Sequence, residues 1–188
     1  MSRNSVEDYV LRNITKLHAQ SGKMFEDATI PFMPDKVQLG DKCTVYVRDC
    51  RGTEQDRLWG TDVMTYIVND QGQVRRTRWD ITERGLDDKT YTAPLAEKKV
   101  VLRSTDGTRV GSVDFGLRHA NGRGKDRQFH ERVVVVSVCA EHGLDITRNS
   151  DDLMTVARAF NRAWMRIMLA FSQYGVLEQL SIAQPSLS

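Results

Sequence analysis

The chain has 188 residues, 40% hydrophobic and 28% charged, which is the size of one ordinary globular domain and enough to bury a well-formed core. Its 27 basic and 25 acidic side chains leave a formal charge of +2, too small for the molecule as a whole to steer nucleic acid or acidic lipid, so any such effect must come from local clustering. No apolar run approaches the roughly 20 residues that cross a bilayer, no secretory signal is visible at the start, and three cysteines are too few and odd in number for a disulfide framework. These observations together point to a reducing, cytoplasmic setting and no membrane partner.

In chain order, Ser5 can cap a first helix in which Val6, Tyr9, Val10, Ile14 and Leu17 recur on one side until Ser21-Gly22 ends it. Residues 23–41 hold Pro31 and Pro34 and mix Phe25, Ile30, Phe32 and Met33 without a period, which predicts an irregular connection pinned by those side chains. Strand patterns follow over residues 42–139. Cys43, Val45 and Val47 alternate with Thr44, Tyr46 and Arg48, and Val63, Thr65 and Ile67 alternate with Met64, Tyr66 and Val68. Asn69 to Gly72 turns the chain into a third strand, Gln73 to Ile81, and Asp106-Gly107 joins strands at Lys98 to Ser104 and Thr108 to Phe115. The last strand, Phe129 to Cys139, contains four consecutive valines, the pattern of a central strand covered on both faces.

Residues 149–176 read as a long helix with two different surfaces. At 100° per residue, Leu153, Val156, Ala157, Phe160, Trp164, Ile167, Met168 and Phe171 share one arc, while Arg158, Arg162 and Arg166 share the opposite side. Asn149 is the expected cap, with Asp151 and Asp152 in the first turn, where they complement the helix dipole. The tail at 184–188 is expected to fray. The expected architecture is therefore α+β: a single domain with an antiparallel sheet of about six strands in hairpins, an N-terminal helix over 1–22, and the long C-terminal helix packed on the sheet.

Patterns specific to catalysis are missing. Gly122-Arg-Gly-Lys125 lacks the glycine five residues before Gly124, where His119 stands, and Asp126 replaces the hydroxyl a phosphate loop uses to hold magnesium. Cys139 and His142 have a spacing that zinc can use, and Cys43 and Cys50 could complete a tetrahedron only if the first and last strands were neighbours. No Gly-x-Ser-x-Gly turn exists, and Cys50, next to Arg48, Asp49 and Arg51, is the one cysteine whose neighbours are polar enough to lower its pKa, though a surface or half-buried thiol at a strand end is the expected reading. Trp59 and Trp79 lie near arginines and suit cation–π packing on a sheet better than stacking with a base. No cofactor, metal or enzymatic activity is expected.

What stands out is local charge. From Lys98 to Arg132, nine Lys or Arg residues face four acids, an imbalance larger than that of the whole chain. Arg118, Arg123, Lys125 and Arg127, on a stretch with glycines at 122 and 124, could conform to phosphates, and the arginines at 158, 162 and 166 offer planar forks suited to the same anions. The expectation is a non-enzymatic protein that binds RNA or single-stranded DNA through the basic loop and the arginine-bearing helix face. The alternative is a structural or adaptor subunit that self-assembles or binds another protein. For it, Met165 and Leu169, one turn apart on the arginine side, would form an apolar interface strip.

Overall fold

The computed structural model describes residues 24–83, 85–86, 92–94, 99–121 and 130–172. Helix α1 (Met24–Thr29) and a 3-10 turn (Ile30–Phe32) lead into strands β1 (Lys36–Leu39) and β2 (Cys43–Asp49). Helix α2 (Glu54–Trp59) then precedes β3 (Val63–Asn69) and β4 (Val74–Thr82). Strands β5 (Thr92–Pro94), β6 (Val100–Arg103), β7 (Arg109–Asn121) and β8 (His130–Ala140) follow, and helix α3 (Ser150–Ser172) comes last. The expected helix at 1–22 and the tail at 184–188 lie outside the described residues.

The strands form one sheet in the order β1-β2-β3-β4-β8-β7-β5, with β6 also paired to β7. Strands β6 and β5 share the outer edge of β7, one opposite Arg109–Val113 and the other opposite Gly116–Arg118. The alternating segments became strands as their period requires, and both expected hairpins are present. In the first turn Asn69 Oδ1 accepts from the amides of Gln71 at 3.0 Å and Gln73 at 2.8 Å, the local bonding that makes asparagine a turn residue.

The expectation of a wholly antiparallel sheet needs correcting. Strand β4 runs parallel to β8, with Trp79 beside Val134 and Ile81 beside Val136, so the sheet is mixed. Parallel neighbours cannot be joined by a tight turn, and here β5, β6 and β7 all intervene in sequence between the two partners. Hairpins are written in short-range turn signals; this pairing depends on side chains that meet across the fold. The region 23–41 is also more regular than expected, since it holds α1, the 3-10 turn and β1. These elements, with α2 and β5, span only three to six residues each, too short for periodicity to declare them.

Strand β8 lies between β4 and β7, and Val133 to Val136 are each at most 2% exposed, as the valine run predicted. One face of the sheet packs against α3. Trp79 meets Trp164 edge-on at 5.2 Å between ring centroids, Phe160 lies 5.8 Å from Trp164, and Phe25 of α1 meets Phe160 at 5.4 Å. The indole Nε1 of Trp79 donates to Thr65 Oγ1 at 2.8 Å, so its one polar atom is satisfied inside the core. Helix α3 begins as expected: Asn149 Oδ1 accepts from the amide of Asp151 at 2.9 Å and that of Asp152 at 3.3 Å. No helix among the described residues is long and apolar enough to cross a membrane.

Candidate functional site

The apolar arc of α3 is buried from Leu153 to Met168, which turns Arg158, Arg162 and Arg166 outward. All three are exposed. They rise in steps of one turn, about 6 Å each, along a helix whose other side is locked to the sheet. Among the described residues, no carboxylate forms an ion pair with any of them. Arg162 Nη2 donates to the backbone carbonyl of Arg103 at 3.0 Å, and Arg103 is itself exposed at the end of β6. The fold thus joins the helix row to one member of the basic stretch between Lys98 and Arg132. Arg103 belongs to that stretch by position, but no local pattern brings it to the helix, because the contact spans 59 positions.

Beside this row lies an open groove of about 490 Å³ between α3 and the turn that follows α1. Ala28, Phe32 and Pro34 form one wall and Met154, Arg158, Asn161 and Arg162 the other. Its shape is fixed by two contacts between the helices, the Phe25–Phe160 ring pair and a hydrogen bond from Asn161 Nδ2 to the carbonyl of Thr29 at 3.1 Å. Thr29 in turn donates its hydroxyl to Phe25 O at 2.7 Å, bracing α1 from within.

Arg118 sits elsewhere. Side chains alternate along a strand, so β7 directs Arg118 to the face of the sheet opposite α3. There its Nη2 donates to the carbonyls of Trp59 at 3.1 Å and Gly60 at 3.0 Å, and pairs with Asp80 Oδ2 at 3.1 Å. The guanidinium therefore clasps the C-terminal end of α2, where unpaired carbonyls make a cation favourable. Gly60 is required twice over: it turns the chain at φ +61°, and a Cβ there would lie 2.9 Å from Arg118 Nη2.

A second cluster on the same face surrounds Arg78. This side chain is buried, donates from Nη1 to Glu131 Oε2 at 2.8 Å and from Nη2 to Gln55 Oε1 at 3.3 Å, and lies 5.9 Å from the centre of the Trp59 ring. Arg76 Nη2 reaches the other Glu131 oxygen at 3.6 Å. Burial, reinforced by the neighbouring charge of Arg76, pushes the Arg78 guanidinium below its ordinary pKa. Both tryptophans near arginines are thus packing residues, Trp79 in the core and Trp59 between α2 and the sheet. Among the described residues the exposed large aromatic is Tyr46, with Lys36 Nζ 5.6 Å from its ring centre.

The remaining sequence candidates divide clearly. Arg123, Lys125 and Arg127 lie outside the described residues. Met165 is half-buried and packs against the main core, and Leu169 lies on α3 with its side chain outside the described residues. Cys43 and Cys139 are on strands separated by β3 and β4, so the neighbouring strands that a shared zinc site required are not formed. Cys50 is buried, and burial raises its thiol pKa, the reverse of what a nucleophile needs. Among the described residues, no group of three His, Cys, Asp or Glu side chains is placed to hold a metal ion. Compared with known protein families, with curated proteins and with solved structures, the chain matches none.

Proposed function

We propose that this protein binds RNA or single-stranded DNA, with the outer face of α3 as its phosphate-binding surface. The observation that carries this reading is the row Arg158, Arg162 and Arg166: exposed, on a rigid helix, and without a carboxylate partner among the described residues. Guanidinium groups left unneutralised by their own protein attract a polyanion and displace its counterions on contact. Arg103 extends the surface onto β6, and Arg123, Lys125 and Arg127 of the β7–β8 connection complete the proposed set. Arg118 is left out of it, because its guanidinium is engaged in holding α2.

Fluorescence anisotropy with a labelled single-stranded oligonucleotide tests the reading. Arg158→Glu with Arg162→Glu is expected to weaken binding at least tenfold, and Arg123→Glu with Lys125→Glu to weaken it by a smaller factor. Parent and variants binding equally, or none of them binding, contradicts it. Retention of a protein partner in place of nucleic acid would favour the adaptor alternative.

A further inference from the structure

We propose that the groove beside the arginine row seats one unpaired nucleobase, so that the site distinguishes base-bearing single strands from a bare sugar–phosphate chain. This inference rests on the nucleic-acid reading above and adds what that reading leaves open, a contact to the base itself. The groove's volume of about 490 Å³ falls within the range of small-ligand clefts, about 300–1,000 Å³. It is lined on one side by the ring of Phe32 and by Pro34 and Ala28, apolar groups against which a base face can pack. Arg158 and Arg162 line the groove from α3 and are exposed, so their guanidinium groups are available to the attached phosphates.

The decisive atom is Asn161 Oδ1. The amide orientation is fixed, because its nitrogen donates to the Thr29 carbonyl at 3.1 Å and a flipped group would set two oxygens against each other. That leaves Oδ1 as a buried acceptor with no hydrogen-bond partner, on a residue that lines the groove. Buried acceptors are ordinarily satisfied, and one left unpaired on a residue that lines a cleft marks a place where a ligand donor would be favoured. Every nucleobase offers an N–H along its pairing edge, and a base within a duplex has that N–H already engaged. Asn161 lies on the helix between Arg158 and Arg162, and because Oδ1 is closed to solvent the proposed contact requires side chains lining the groove to move aside as the base enters.

The test uses the full chain and three probes of equal length and charge per strand: a mixed-sequence single strand, an abasic sugar–phosphate strand, and the duplex. Tighter binding of the base-bearing strand, by about tenfold over the abasic strand and also over the duplex at matched phosphate concentration, is the expected result. Asn161→Leu should bring the base-bearing strand to within about twofold of the abasic one while leaving the salt dependence of binding unchanged. Equal affinity for base-bearing and abasic strands in the parent protein overturns the inference and leaves the phosphate-binding reading intact. Failure to bind any of the three overturns both.

Discussion

Arginines on the two faces of this sheet have opposite fates. On the α3 side, Arg158, Arg162 and Arg166 point to solvent from a helix whose opposite face is the core. On the other side, Arg78 and Arg118 are drawn in, one onto Glu131 and Gln55, the other onto Asp80 and the last carbonyls of α2. Counting charge treats all five alike. What separates them is what each can reach: a strand arginine facing a carboxylate on a neighbouring strand, or lying beneath a short helix, finds an acidic partner, whereas those on the outer face of α3 have no carboxylate partner among the described residues, Arg162 reaching only the backbone carbonyl of Arg103. A charged residue becomes a candidate for binding an anion only where its own protein leaves its charge unneutralised.

That contrast predicts an order of damage on substitution. Trp164→Ala should cost the most, about 3–5 kcal/mol, because it removes a fully buried ring from between Trp79 and Phe160 and leaves a cavity. Arg118→Ala should follow at about 2–3 kcal/mol, since the carbonyls of Trp59 and Gly60 lose their shared donor and Asp80 loses its ion pair with Arg118. Arg162→Ala should change stability by less than about 0.5 kcal/mol, the ordinary consequence at an exposed position. Chemical denaturation of the three variants checks the order. If Arg162→Ala proved as costly as Arg118→Ala, the distinction between arginines paired with a carboxylate and those without one would not hold.

Much of this architecture is legible in the residues themselves. The phase of α3 could be read because 3.6-residue periodicity was sustained over several turns, and its cap because Asn149 precedes the first apolar position. The valines of β8 announced a central strand by the absence of any polar alternation. The parallel contact of β4 with β8 was not legible, because no local signal records which distant strand a segment will meet. Elements of three to six residues escaped for a different reason, having too few positions to show a period. The site divides along the same line. Exposure of Arg158, Arg162 and Arg166 follows from helix geometry alone, whereas the engagement of Arg118 depends on α2, a helix the sequence did not declare. Likewise the half-buried packing of Met165 depends on how the neighbouring elements close over α3, which no wheel diagram contains.

The salt dependence of oligonucleotide binding tests the central claim most directly. Each phosphate contact made to a single strand contributes about 0.7 to the slope of log affinity against log salt, so Arg158→Ala with Arg162→Ala should reduce that slope by about 1.4 while the far-ultraviolet circular dichroism remains native. A slope unchanged from that of the parent would contradict the account, because the exposed arginines of α3 would then make no contact with phosphate.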